Sequence, residues 1–509
     1  MGARGRFRGQ ADVGDNLCLG RRPKATMRST LKRLAKLTAG YSLVTLLGPL
    51  FTLLLTPLYT RVLEPADYGV VDISLTVASL IGIFVGLGMD QALSGHFFDG
   101  DDSHQRDVVT TALACVAGIG LVGATSMVLL AAPLATILFG DPARAITLEI
   151  LSISVICGPL YIVTVAALRL RMGIRRVNIL GLTNLFSVIG FNLLFVLLLR
   201  WKATGVVAAN AAAMLVSCLV GMALIAGSLR GSVRREIVRT LLPTGFAILP
   251  ALYGSLLLNN IDRLLLTQYV PAEQIGLYAI ANKLASMVTV VVGAAWAAWW
   301  PMALQMADEV DAPRQFARML EYFLMLSITL ALAMGMFSGE ILSVFTRAAY
   351  VPSAPYAFAL MIYTGPIASA ATFFCIGLHA RKRAYKVSVA FLISAVINIG
   401  LNLILDPIIG IWGAVWATVI GGMVLMVLCY RFGQQVLLVQ YRWIRIAVVF
   451  AFHVGACLLL IDQPGLNTVP AKLGLLVTLF TLYAGIGFIR REQFITSWNL
   501  LQSRFRHQT

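Results

Sequence analysis

The sequence predicts an all-α polytopic membrane protein with about 14 transmembrane helices: two six-helix lobes related by a parallel pseudo-twofold repeat, plus two extra C-terminal helices. Three observations predict this. Of 509 residues, 59% are hydrophobic and only 12% are charged, with a mean hydropathy of +0.84, whereas a soluble domain carries about 25% charged residues. Apolar segments long enough to span a bilayer recur from end to end, and in hydrocarbon each must satisfy its own backbone N–H and C=O groups, which argues for helices. One stretch of the chain also occurs twice.

The elements follow in order. Residues 1–37 form a basic leader. "MRSTLKRLAKLTAGYS" from Met27 is a more ordinary start for a first membrane helix than residues 1–26, so translation is expected to begin at Met27; N-terminal sequencing of the mature protein tests this. Spans are expected near 39–58, 70–93, 108–131, 146–168, 178–199 and 203–227, then 241–267, 275–300, 319–337, 356–379, 388–405 and 412–430. Two more, 446–461 and 470–489, precede a basic tail, 490–509.

The repeat defines the organisation. Thr60, Pro65-Ala66-Asp67 and Gly69 recur as Thr267, Pro271-Ala272-Glu273 and Gly276, an offset near 207. Asn192-Leu193-Leu194 matches Asn402-Leu403-Ile404, and "TGVVAAN" (204–210) matches "WGAVWAT" (412–418), at nearly the same offset. The lobes are therefore expected over 38–230 and 239–432, with 446–489 outside the duplication. Six spans per unit is an even number, so both lobes cross in the same sense and the axis lies along the membrane normal, as in transporters that rock two bundles about a central site.

The formal net charge of +17 is best read through its distribution. With a cytoplasmic N-terminus, 32 of the 40 Lys and Arg fall on the cytoplasmic side, in runs such as "RLRMGIRR" (169–176), "RGSVRREIVR" (230–239) and "RKRAYK" (381–386). This positive-inside pattern puts both termini in the cytoplasm of a multi-pass inner-membrane protein and implies contact with anionic lipids rather than nucleic acid. Seven cysteines lie mostly inside apolar runs without metal-ligand spacing and read as small buried hydrophobes. There is no Walker A loop, Ser/His/Asp order or Cys/His cluster, so no cofactor, no metal and no enzymatic activity are expected.

At this point "TPLYTRVLEPADYGVVDISLTVASLIGIFVGLGMDQAL" (56–93) and "NNIDRLLLTQYVPAEQIGLYAIANKLA" (259–285) resemble the matching halves of polysaccharide and O-antigen flippases, the polysaccharide transporter branch of the multidrug/oligosaccharidyl-lipid/polysaccharide exporter superfamily. The likeness covers roughly residues 30–440. It implies two lobes around a central cavity and alternating access that moves an undecaprenyl-diphosphate-linked oligosaccharide from the cytoplasmic to the periplasmic leaflet. It also implies a polysaccharide polymerase and a chain-length regulator as partners, and places Lys283 where related lipid II flippases carry a cavity arginine.

Charges inside spans cost roughly 2.5–3.5 kcal/mol each at a helix centre, so they are the candidate site residues. Lys283 stands about two turns into its span, with Asn282 and Ser286 making that region of the helix polar; it is the candidate diphosphate ligand, the alternative being a structural ion pair. Arg263, on one face with Asn259 and Asn260, and Arg61 at a helix exit are further candidate cations; lipid-phosphate or interfacial pairing explains them equally well. Asp262 and Asp72 are the candidate acids for coupling to a proton or Na⁺. Asp72 and Asp90 mark the ends of a small, polar stripe that either lines the cavity or packs closely. Asn192 and Asn402, like Asn184 and Asn398, either meet sugar hydroxyls or bond between helices. "WAAWWP" (296–301) reads as an interfacial aromatic belt, and "DGDDSH" (99–104) as a short solvated loop rather than a metal site.

Two rivals remain open. A multidrug or metabolite antiporter of the same superfamily would require an intramembrane acid, and none stands in 39–58. A membrane-embedded glycosyltransferase or polymerase would need a catalytic loop, and the longest expected on the far side, 338–355, is too small for a catalytic domain.

Overall fold

The computed structural model describes residues 55–487 other than 172, 228, 308, 382 and 463–467. The leader, the expected start at Met27, most of the first span and the tail lie outside the described residues.

Residues 55–62 are helical and are called α1. The first lobe continues with α2 (Pro65–Gly86), α3 (Met89–His96), α4 (Asp102–Leu129), α5 (Ala131–Phe139), α6 (Ala145–Leu170), α7 (Ile174–Asn192) and α8 (Lys202–Leu224). The second lobe holds α9 (Arg235–Leu266), α10 (Ala272–Met306), α11 (Ala312–Met336), α12 (Ser338–Phe345), α13 (Ala354–Ile362), α14 (Ala368–Phe374), α15 (Ile376–Ala380), α16 (Tyr385–Ile409) and α17 (Ile411–Gln434). Then come α18 (Trp443–Asp462) and α19 (Val469–Gly485). Among the described residues 11 helices are long and apolar enough to cross a membrane, or 12 when the two halves of α9 count as one span. α1 and the 17-residue α19 stand where the first and last expected spans lie. The chain is a multi-pass membrane protein.

In the first lobe α6 packs along α4, α8 and α2, and α7 along α8; in the second, α16 packs between α9 and α17, and α13 between α10 and α11. Large apolar side chains such as Leu121, Val122, Phe186 and Ile404 are exposed on helix flanks, where acyl chains are the solvent. The last two helices pack against α11. Lys472 of α19, fully buried, ion-pairs with Glu340 of α12 and lies 5.0 Å over the Phe337 ring.

Several spans are broken where one was expected. The span predicted over 70–93 divides at Leu87 and Gly88, which both take left-handed φ, +47° and +61°, a conformation that glycine adopts without strain. α9 bends by 43° between its two halves, where Pro250 removes a backbone donor. The tenth expected span, 356–379, becomes α13, a π-helical turn Tyr363–Ile367 containing Pro366, then α14 and α15.

The repeated motif is the seam between the lobes. Gly69 of α2 and Gly276 of α10 face each other: a Cβ on Gly69 would strike the Ala272 carbonyl, and one on Gly276 the Pro65 carbonyl. The contact is reciprocal, as two equivalent segments meeting across a twofold require, and small residues are what let two membrane helices touch backbones. Tyr350 supports it by donating to the Leu63 carbonyl at 3.1 Å. At the opposite end of the bundle Gly245 of α9 abuts the Leu87 carbonyl, beside a 3.2 Å hydrogen bond between His96 and Thr244.

Candidate functional site

Between these two contacts lies a cavity of about 270 Å³, whose lining includes Tyr59, Tyr68, Asp72, Arg263, Asn282, Lys283 and Ser286. Its chemistry comes from helical spacing: Tyr68 and Asp72 share a face of α2 at i, i+4, as Ala279 and Lys283 do on α10. The first lobe contributes the acid and both phenols; the second contributes both cations.

The two cations differ in partnership. Arg263 Nε lies 3.0 Å from Asp72 Oδ2, with side chains only 13% and 19% exposed. Neither atom has hydrogen-bond alignment, so the contact is an ion pair rather than a directed bond. Arg263 Nη1 donates to Asn260 Oδ1 at 2.9 Å. Lys283 makes no carboxylate ion pair among the described residues. Its Nζ donates to the Tyr68 hydroxyl at 3.2 Å and stands 5.8 and 5.9 Å from the Tyr59 and Tyr68 ring centroids. The acid-paired cation is thus Arg263, and Lys283 is held by neutral groups in a cavity wall. Such an ammonium keeps donors for an incoming anion, whereas Arg263 is largely offset in charge.

The other sequence candidates scatter. Asn282 lines the same cavity. Asp90 lines an adjoining cavity of about 550 Å³ between the first lobe and Leu252 and Leu256 of α9, which shares Leu75 and Asn210 with the cationic one. Asn259 lines a third, of about 420 Å³, in the second lobe. Arg61 is exposed and outside all three linings. Asn192 and Asn402 are fully buried and bond within their own helices, to the Val188 and Asn398 carbonyls at 2.7 and 2.8 Å. Asp262 is 1% exposed and points into the second lobe, where it accepts from the Tyr278 hydroxyl, from Thr418 Oγ1 at 3.4 Å and from the Arg263 N–H at 2.9 Å.

Beside Asp262 stands a residue that the sequence reading passed over. Asp406 of α16 is 1% exposed, and neither carboxylate oxygen has a hydrogen-bond partner among the described residues. The expected span ended at 405, one residue short; the signal was the polar stripe Asn398, Asn402, Asp406 at i, i+4, i+8. The acidic loop has a structural role. Asp101 caps α4 by accepting from the His104 N–H at 2.9 Å, a bond that lowers its pKa from the ordinary carboxylate value. Asp107 pairs with Arg234 at 2.6 Å. Among the described residues no group of three His, Cys, Asp or Glu side chains can hold a metal.

Two helical lobes meeting over a buried charged cavity define a class, the two-lobed polytopic membrane fold. Solved structures share it. The lipid II flippase MurJ in an inward closed conformation is 12% identical, with 88% of this chain and 98% of that chain covered and a TM-score of 0.68. An inward-facing multidrug resistance MATE family transporter of the MOP superfamily is 14% identical over 81% and 95%, TM-score 0.63. A MOP superfamily transporter from Pyrococcus furiosus is 14% identical over 79% and 94%, TM-score 0.53. No curated protein matches in sequence. Residues 34–307 match the family described as polysaccharide biosynthesis protein, and the chain belongs to that family.

Proposed function

We propose that this protein flips a lipid-linked oligosaccharide, carried on a prenyl diphosphate such as undecaprenyl diphosphate, from the cytoplasmic to the periplasmic leaflet of the bacterial inner membrane, with both termini cytoplasmic. The observation that carries the reading is Lys283, a cation that makes no carboxylate ion pair among the described residues, in a cavity between two lobes. The diphosphate would bind its ammonium, Arg263 would add a second, partly neutralised cation, and the prenyl tail would remain among acyl chains. Rocking of the lobes about the Gly69–Gly276 and Gly245–Leu87 contacts would then expose the cavity to alternate sides. Asp262, joined by Asp406, is the proposed site where a proton or Na⁺ couples to that motion. The shared fold of the lipid II flippase and the polysaccharide family support this reading.

The test is leaflet-resolved accessibility of the lipid-linked glycan in cells depleted of this protein, rescued with wild type or Lys283→Ala at equal expression. Stalling on the cytoplasmic leaflet that only wild type relieves supports both the flippase and the Lys283 role. Full rescue by Lys283→Ala removes the cation from the mechanism. An unchanged glycan distribution on depletion refutes the flippase and favours the drug-antiporter alternative.

A further inference from the structure

The second half of α10 departs from the aromatic-belt reading. Trp299 is buried against Phe316, while Trp296 and Trp300 line the 420 Å³ cavity inside the second lobe. We propose that this cavity is a saccharide-binding subsite, in which Trp296 and Trp300 are platforms for sugar rings and Asn259, Tyr363, Ser255 and Thr372 are partners for hydroxyls. The proposal rests on the flippase reading and adds to it a place for the glycan.

Three features of the cavity select a neutral, polyhydroxylated ligand. First, among the described residues its lining contains no Asp, Glu, Lys or Arg, and the Nδ1 of its one imidazole, His379, is engaged with the Cys375 carbonyl at 2.9 Å, in contrast to the cationic cavity with its fixed charges. Second, it presents aromatic planes that are held in place. Trp296 packs edge-on against Phe373 at 5.0 Å and tilted against Trp300 at 5.3 Å; Trp300 meets the His379 ring at 5.1 Å. The negative face of an indole attracts the partially positive C–H groups of a sugar face. Third, it presents neutral hydrogen-bonding groups that a bare hydrocarbon would leave unpaired. Asn259 is exposed to the cavity, accepts from the Tyr363 hydroxyl at 3.1 Å and donates to the Ser255 carbonyl at 2.7 Å. Tyr363 is presented from the π-helical turn that Pro366 interrupts, a local distortion frequent at functional sites. An apolar pocket with a few convergent polar groups is the usual form of a small-ligand site.

The placement fits one extended substrate. Trp296 and Trp300 share a face of α10 at i, i+4, and Lys283 stands roughly a third of a turn around the same helix from them. From Lys283 to Trp300 the axis rises about 26 Å at 1.5 Å per residue. Gly293, between them, leaves that wall clear: a Cβ there would meet no atom within 4 Å. On α9, Asn259 stands one turn from Arg263, so the two cavities meet the same helix about 6 Å apart along its axis. A glycan extending from a diphosphate at Lys283 would meet the indoles with sugars several rings beyond the first.

The experiment measures binding to the purified full chain in lipid nanodiscs with two probes: the lipid-linked glycan extracted from source cells depleted of this protein, and the same prenyl diphosphate without sugar. Trp300→Leu is expected to weaken the glycan probe by about tenfold, the scale of one aromatic contact, and to leave the sugar-free probe unchanged. Trp300→Phe should restore most of the loss, and Asn259→Ala should weaken only the glycan probe. Lys283→Gln should weaken both. Trp299→Phe, outside the cavity, is the control for altered packing, with melting temperature measured for every variant. Equal weakening of both probes by Trp300→Leu, or weakening of neither, overturns the subsite while the cationic cavity stands. If neither probe binds wild type, the flippase reading falls and the subsite with it.

Discussion

Gly276→Ala is the most direct probe of the seam between the lobes. The added Cβ would lie 2.7 Å from the Pro65 carbonyl carbon and 3.2 Å from the Gly69 nitrogen. Carbon atoms in van der Waals contact rest about 3.5–4.0 Å apart, and the Pro65 carbonyl oxygen stands nearer still, so α2 and α10 must separate by more than about 1 Å. Both obstacles are backbone, which cannot rotate away as a flexible side chain can. Overpacking of this kind costs roughly 1–3 kcal/mol, and it falls only on states in which the seam is closed. A conformational equilibrium would shift by roughly five- to hundredfold toward the state open at that end. Spin labels at Glu64→Cys and Gln268→Cys, both exposed on the connections flanking the seam, report the opening by pulsed dipolar spectroscopy. Gly118→Ala, whose Cβ meets nothing within 4 Å, is the control. The expected result is a longer label separation and slower glycan transport in Gly276→Ala alone. A distance distribution identical to wild type would refute the seam argument. Gly245→Ala, whose Cβ strikes the Leu87 carbonyl at the other end, should shift the equilibrium in the opposite direction.

Other predictions concern the charges. Asp72→Asn removes the partner of Arg263 and leaves two cations in one cavity; affinity for a soluble prenyl diphosphate should rise by about tenfold while transport slows through delayed release, and calorimetry showing weaker binding would contradict this. Thermal stability of the wild type in detergent should depend on Na⁺ or on acidification, and Asp406→Asn should abolish that dependence; an unchanged dependence in the variant excludes Asp406 from coupling. Glu340→Gln leaves Lys472 buried without its counter-ion. Because Glu340 is 47% exposed and Lys472 1%, the cost should be about 1–3 kcal/mol, below that of a fully buried pair. It should appear as a lower melting temperature that Glu340→Gln combined with Lys472→Met recovers, and a double variant no better than the single would refute it.

The fold was legible because hydrocarbon imposes a simple rule. Each crossing must be a contiguous apolar helix, so the segments around 108–131, 203–227 and 412–430 reappear as α4, α8 and α17 with small shifts at their ends. The breaks were less legible. Pro366 and Pro250 sit in plain view, but prolines inside membrane helices are often absorbed by neighbours, and only packing shows that one yields a π-helical turn and the other a bend. The division at Leu87 was hidden further, since a leucine in left-handed geometry has no composition signal.

The site was legible in kind more than in arrangement. A charge inside a span marks cost, and hence use, which singled out Lys283, Arg263, Asp72 and Asp262. Periodicity also shows which residues share a helix face, but not what that face meets. Asn259, Asn192 and Asn402 look alike in sequence; the first opens on a cavity and the other two are buried in helix packing. Trp296 and Trp300 stood near a span end, where lipid headgroups explain tryptophan, and only the course of the 35-residue α10 turns them inward. Asp406 looked like a helix end because the apolar run stops beside it, although the helix continues to Ile409.

By itself the sequence determined the membrane class, the order of the spans, the duplication, and several of the charges buried at a cost. Those follow from the transfer of each segment into hydrocarbon, a local property. The tertiary structure alone decided that the two repeated glycines meet each other, that Arg263 takes Asp72 while Lys283 meets the Tyr59 and Tyr68 phenols, and that Asp262 and Asp406 share the interior of one lobe. Those are pairings between residues far apart in the chain, set by which helix faces can approach closely once the lobes pack.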